Sequence, residues 1–204
     1  MVMLCEVGED CCQYFPLTEL HPVMEHGEFR METARGDSLS VNVSMRLYVE
    51  IFRSRTGGYE GTQVRDLRLT AVSGEVREVK HIQLSSSSWP NYGVVDQLDD
   101  LLDLVGRVCE ESEEVGGALL VHCSGGLGRS GTFTVILAIY NMMRRDLALI
   151  ENYLGQQGEI VLTELVLHLR SVGHPWMVEG EAQYLLAYQA ALAIATRRLQ
   201  ELQE

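Results

Sequence analysis

Five residues separate Cys123 from Arg129 in the chain, and three of them are glycines, Gly125, Gly126 and Gly128. Glycines let a backbone curl until its N–H groups face inward. Inward N–H groups at the positive end of a helix favour an anion. For the same reason they favour the thiolate of Cys123, the nucleophilic form of the side chain. Arg129, returning across the loop, can hold two oxygens of a phosphate with its planar fork. Ser130 can donate a hydrogen bond to the sulfur and help it leave when a covalent intermediate breaks. The competing reading is a buried cysteine beside a glycine-rich turn, and the flanking elements decide between the two.

Before the loop, Gly117–Val121 is a short apolar run that reads as a buried strand. After it, residues 132 to 145 are apolar for long enough to form a buried helix. Strand, glycine-rich loop, helix is the frame an anion site needs. The stretch His122-Cys123-Ser124-Gly125-Gly126-Leu127-Gly128-Arg129-Ser130-Gly131 resembles the His-Cys-Ser-x-Gly-x-Gly-Arg-Ser/Thr-Gly signature of the cysteine-based protein tyrosine phosphatases at every fixed position. The resemblance implies Cys123 as nucleophile, Arg129 and Ser130 as its catalytic partners, and Ser124, Gly125, Gly126, Leu127, Gly128 and Arg129 as the phosphate cradle. His122 reads as a strand-end brace and not as a base.

Two further stretches resemble the family with alterations. Trp89-Pro90-Asn91-Tyr92-Gly93-Val94 is similar to its mobile Trp-Pro-Asp-His-Gly-Val loop, with Asn91 in place of the general acid. The leaving phenolate of tyrosine has a pKa of ~10 and wants a proton as the P–O bond breaks. An amide cannot supply it, and losing a general acid typically lowers the rate ~10²- to 10⁴-fold. Asp96, Asp99 and Asp100 read as the polar start of the next helix, not as a replacement acid. Met177-Val178-Glu179-Gly180-Glu181-Ala182-Gln183-Tyr184 is similar to Met-Val-Gln-Thr-x-x-Gln-Tyr. Its first glutamine positions the attacking water in that family. Glu179 takes that place and Gln183 matches the second glutamine. A carboxylate at 179 repels a bound phosphate dianion. Near the N-terminus, Cys11-Cys12-Gln13-Tyr14-Phe15-Pro16 is similar to the family's Lys-Cys-x-Gln-Tyr-Trp-Pro. Glu6, Glu9 and Asp10 read as a solvated acidic turn, and the alternative that the resemblance implies is Glu6 or Glu9 as the glutamate that braces the arginine.

The elements that position these loops follow from periodicity. Residues 28–32, 40–45, 47–52, 67–70 and 79–84 read as strands, with Gly57-Gly58, Gly61 and Ser73-Gly74 as turns. Gln97 to Glu113 is amphipathic, with Leu98, Leu101, Leu102, Val105 and Val108 on one face. Ile160–Arg170 and Ala187–Leu202 read as later helices, with His168 structural. Strands first and helices later imply an α/β (α+β) fold, a twisted mixed sheet flanked by helices. The 204 residues, 46% of them apolar, fit one domain spanning 1–204 with a sizeable core. Its phosphate loop lies at 122–131, its acid-loop remnant at 89–94 and its glutamine-loop remnant at 177–184. The resemblance implies that the family's domain begins before Met1, so that the loop setting pocket depth is absent from this chain.

A net charge of -13, from 16 basic and 29 acidic residues, argues against nucleic acid or an anionic membrane as the main partner. Five cysteines without a Cys-x2-Cys pair argue against a disulfide framework or a zinc site, and for a reducing compartment. No metal or cofactor is expected. No apolar run reaches the length of a membrane span and no signal-peptide pattern opens the chain. The expected location is cytoplasmic, either as a soluble protein or as the cytoplasmic part of a longer receptor.

Two function classes remain open. One is a protein tyrosine phosphatase that works through a phosphocysteine intermediate, with turnover impaired by Asn91. The other is a weak or inactive phosphotyrosine-binding pseudophosphatase. The altered acid and glutamine positions beside an intact phosphate loop resemble the second, membrane-distal domains of receptor-type tyrosine phosphatases. The expected partners are phosphotyrosine-containing proteins or peptides, and a phosphatase domain in the same chain or in a partner. The Trp-Pro loop and the glutamine-loop remnant argue against an arsenate-type or dual-specificity enzyme.

Overall fold

A computed structural model describes residues 1–4, 23–26, 29–30, 42–43, 47–56, 62–71, 73–84, 88–154 and 158–203. The readings made at Glu6 to Pro16 and at Gly57, Gly58 and Gly61 lie outside these residues. The described strands are β1 (Val2–Met3), β2 (Val23–His26), β3 (Phe29–Arg30), β4 (Asn42–Val43), β5 (Leu47–Thr56), β6 (Thr62–Ala71), β7 (Val76–Leu84) and β8 (Val121–His122). The helices are α1 (Leu98–Val115), α2 (Gly128–Arg145), α3 (Leu147–Leu154), α4 (Gly158–Val172) and α5 (Glu181–Glu201). Six strands form one sheet in the order β2-β5-β6-β7-β1-β8, and β3 pairs with β4. β5, β6 and β7 run antiparallel, whereas β1 lies parallel to both β7 and β8. The expected mixed sheet flanked by helices is the fold.

Burial explains why the sheet holds the site. β7 starts in solvent at Val76, Arg77 and Glu78 and ends fully buried at His81, Ile82, Gln83 and Leu84. Both faces of that end are covered, so it anchors β1 and, through β1, the strand that delivers Cys123. α1 buries Leu101, Leu102, Leu104, Val105 and Val108 as its period requires. Gly116 ends it in the left-handed region at φ 62°, where a glycine carries no Cβ penalty. α2 is buried on most sides through Phe133, Val135, Ile136, Ile139 and Met143. α5 meets α2 with Ala187, Ala190, Ala191 and Ala195, all fully buried; such small side chains let two backbones approach closely. Among the described residues, no helix is long and apolar enough to cross a membrane.

Three expectations are corrected. The strand read over Gly117–Val121 is only Val121–His122, and Leu120 is 58% exposed. Among the described residues β8 stands at one end of the six-stranded order, and both of its residues are half-buried where its apolar run implied a buried strand. The last helix starts at Glu181, not at Ala187, which puts Gln183 in its first turn. α3 was not anticipated at all. Its signal was present: Asp146 ends α2, and its carboxylate accepts the Ala148 N–H at 2.9 Å in the manner of a helix cap. α4 buries Leu162 and Val166, but Leu167 and His168 face solvent, so His168 takes no part in the core.

One buried network has a pH consequence. Arg65, itself buried, donates to Gln83 Oε1 at 2.8 Å and to Gln63, and lies 3.5 Å from His81 Nδ1. His81 is fully buried, and its pKa falls to about 3, first through burial and then through the charges of Arg65, the Met1 ammonium and His122. The folded protein therefore keeps His81 neutral, while the unfolded chain protonates it below its ordinary value of ~6.5. The unfolded state binds the extra proton, so stability falls as pH drops from ~6.5 towards 3, by up to about 1.4 kcal/mol per pH unit. Urea unfolding at pH 7.5 and pH 5.5 should show this loss, and His81→Gln should reduce the difference between the two midpoints.

Candidate active site

The loop from Cys123 to Arg129 joins β8 to α2, and its glycines are needed for different reasons. Gly126 has φ 71°, a left-handed value that side chains rarely adopt. A Cβ on Gly128 would lie 2.9 Å from Gln183 Oε1, and one on Gly131 would lie 2.6 Å from the Val178 backbone nitrogen. Gly125 meets neither constraint and is exposed, as is Ser124. The loop is thus fixed by one backbone conformation and two close approaches.

α2 begins inside the loop, four residues earlier than its apolar run implied. Its first helical hydrogen bond is Gly131 N–H to Leu127 C=O at 3.0 Å. The N-cap residue is Leu127, which offers no side-chain cap, and the first turn carries no acid. The N–H groups of Gly128, Arg129 and Ser130 therefore lack partners from the helix itself, and a helix start of this kind attracts an anion.

Cys123 is a buried free thiol, 7% exposed, at the mouth of this turn. His122 is half-buried, and its Nδ1 lies 3.4 Å from the Cys123 carbonyl oxygen. Burial pushes the His122 pKa below its ordinary value, against that contact, which raises it. A neutral ring donating from Nδ1 fits the bracing role. Ser130 Oγ is buried, and among the described residues it has no hydrogen-bond partner. The hydrogen bond expected from Ser130 to the cysteine sulfur is therefore not formed.

Arg129 is 1% exposed. Its Nη1 donates to the Trp89 carbonyl at 3.3 Å and its Nη2 to Asn91 Oδ1 at 3.2 Å. The acid-loop remnant thus rests on the guanidinium of the phosphate loop. Trp89 is fully buried, with its indole N–H on the Gly93 carbonyl at 3.0 Å. Gly93 N–H returns to the Pro90 carbonyl at 3.0 Å and closes a turn with Asn91 and Tyr92 at its centre. Tyr92 has φ 59° and is 73% exposed. A left-handed tyrosine with no packing in return is strained.

The glutamine-loop remnant docks on the other side. Val178 N–H donates to the Leu127 carbonyl at 3.3 Å. Gln183 is 1% exposed and ties three segments together. Its Oε1 accepts the Glu179 N–H at 3.0 Å, and its Nε2 donates to the Gly93 carbonyl at 3.3 Å. Thr132 Oγ1, which donates to the Gly128 carbonyl at 2.9 Å, lies 3.4 Å from the same Oε1. Glu179 is half-buried. Asp99 and Asp103 pair with Arg197 on the surface at 2.7 and 3.2 Å, and Asp96 and Asp99 face solvent. They form the polar start of α1, as read. Sequence reasoning missed Thr132 and Arg170, whose Nε and Nη2 hold the Met177 and Val178 carbonyls at 2.9 and 3.0 Å.

The family model described as Protein-tyrosine phosphatase matches residues 1–193. Human tyrosine-protein phosphatase non-receptor type 13 is 31% identical over 156 residues, which cover 76% of this chain and 6% of that relative. Receptor-type tyrosine-protein phosphatase F of Danio rerio is 33% identical over 132 residues, 63% of this chain and 6% of the relative. The chain thus spans a small part of the curated relatives it matches. A solved structure, described as the structural basis of the PTPN18 fingerprint on distinct HER2 tyrosine phosphorylation sites, shares the fold. Its TM-score is 0.65 at 23% identity, over 97% of this chain and 58% of that one.

Two substitutions test the geometry. Gly131→Ala forces α2 and the 177–178 segment apart, and should lower stability by about 1–3 kcal/mol in urea unfolding, the usual effect of overpacking. Tyr92→Gly should raise it by about 1 kcal/mol, because glycine adopts the left-handed turn without strain.

Proposed function

This chain belongs to the protein-tyrosine phosphatase family, and we propose that it acts on phosphotyrosine-containing proteins or peptides through Cys123, with turnover impaired at residue 91. What carries this reading is the contact of Arg129 Nη2 with Asn91 Oδ1 at 3.2 Å. It supports the reading because residue 91 touches the guanidinium that would grip the phosphate, near where a leaving oxygen would need its proton. An amide stands there.

In the first step the Cys123 thiolate forms a bond to phosphorus and the P–O bond to the aryl group breaks. The electron pair leaves on the phenolate, which must take its proton from solvent. Arg129 and the N–H groups at the start of α2 hold the equatorial oxygens. In the second step water attacks phosphorus, the P–S bond breaks, and inorganic phosphate leaves with the thiolate restored. Glu179 places a negative charge near the phosphate at this stage, which slows hydrolysis. The setting is a reducing, cytoplasmic one, with another phosphatase domain as a partner.

A second reading is a phosphotyrosine-binding domain without turnover. The residue in the water-positioning place favours it: Glu179 is half-buried, and a carboxylate there repels the phosphate whose hydrolysis it would have to assist.

Two substrates separate these readings. An aryl phosphate with an acidic phenol needs little protonation, so the chain should release that phenol measurably. A phosphotyrosine peptide should turn over very slowly. Asn91→Asp should raise the peptide rate by up to ~10²- to 10⁴-fold and the activated-substrate rate far less. A burst followed by a stall would place the block at the second step, and adding Glu179→Gln should relieve it. If wild type and both variants are inert on the activated substrate while vanadate still protects Cys123 from alkylation, the binding-domain reading stands. Brisk turnover of the peptide by wild type would sink the role given to Asn91.

A further inference from the structure

We propose that Arg170 is a positioning residue for the phosphate loop, acting through the strained backbone of Val178. Arg170 lies in the last turn of α4. A basic residue there usually complements the carbonyls of its own helix. This one reaches past them: Nε donates to Met177 C=O at 2.9 Å and Nη2 to Val178 C=O at 3.0 Å. Among the described residues these two carbonyls are its partners, and no carboxylate competes for the guanidinium.

What it holds is unusual. Val178 is fully buried and has φ 59°. A β-branched residue in the left-handed region is an outlier that persists only when its surroundings impose it. A planar fork on two successive carbonyls is such a restraint, because it fixes the peptide that joins them. The opposite side of the same residue faces the site. Val178 N–H donates to Leu127 C=O, which also accepts the first helical N–H of α2, from Gly131. Leu127 is the N-cap of that helix. The Val178 nitrogen sits 2.6 Å from where a Gly131 Cβ would be, so the contact has no slack. The path from Arg170 to the phosphate cradle is therefore two carbonyls, one strained residue and one shared acceptor.

The inference rests on the loop being an oxyanion site, and the test keeps the two apart. Full-length wild type, Arg170→Met, Arg170→Lys and Val178→Gly, with the Met and Gly changes also combined, are alkylated with iodoacetamide at a temperature well below melting. Modification at the Cys123 peptide is followed by mass spectrometry against vanadate concentration, and melting temperature is measured alongside. Arg170→Met should raise the vanadate concentration for half-protection by about 10- to 100-fold, the scale of a small misplacement of a binding loop. Arg170→Lys, a point charge without the fork, should fall between. Glycine holds φ 59° without restraint, so in the Val178→Gly background the same Met change should shift half-protection far less. A lower melting temperature with unchanged half-protection would reduce Arg170 to a structural brace and overturn the proposal, as would an equal shift in both backgrounds. If Arg170→Met or Val178→Gly does not fold, Arg170→Lys decides, and no shift there overturns it. Failure of vanadate to protect wild type would overturn the oxyanion site and this role together.

Discussion

One buried side-chain amide holds the site in register. Gln183 receives the Glu179 N–H, donates to the Gly93 carbonyl and fills the space where a Gly128 side chain would be. These three points are far apart in sequence, and they belong to the two altered loops and to the phosphate loop. A buried amide that loses a partner leaves an unsatisfied polar group, an expensive outcome in a dry interior. Each segment is therefore held by the penalty that moving it would impose on the other two. The first turn of α5 supplies the amide, and its alanine face keeps that helix tight against α2.

The consequence is a site whose parts are fixed by contacts between loops. The Gly93 carbonyl takes two donors, Trp89 Nε1 and Gln183 Nε2. The Leu127 carbonyl takes two more, from Gly131 and Val178. Each shared acceptor is a point where two segments meet. The strained residues, Tyr92 and Val178, flank these points and mark where the chain has been bent to make the joints.

Much of this was legible in the sequence because small-residue spacing and apolar period report local structure directly. The spacing of Gly125, Gly126 and Gly128 between Cys123 and Arg129 foretold a curled loop before a helix, although Gly125 meets neither constraint and Gly131, which does, was not part of that reading. The apolar period of Leu101, Leu102, Val105 and Val108 foretold the buried face of α1. What stayed hidden depends on partners distant in sequence. An apolar run such as Gly117–Val121 does not say whether its strand is central or at an edge, so Leu120 was misread. Hydroxyl geometry is set by the helix start, so the expected Ser130 contact could not be judged. Arg170 looks like any basic residue ending a helix, and only the folded chain brings it to two carbonyls of the next segment.

The contact between Arg129 and the acid-loop remnant bears on how long a captured phosphate would stay. The two acceptors that residues 89 and 91 offer the guanidinium, the Trp89 carbonyl and the Asn91 amide oxygen, are neutral. A doubly charged oxyanion that displaces them meets dipoles from that loop and no like charge at residue 91. An aspartate in the same position would repel the ligand at the moment of entry and again while it is held. On the function proposed above, an amide in place of an acid at residue 91 would lengthen dwell time by the same atom that shortens the list of proton donors, a shift from release towards retention.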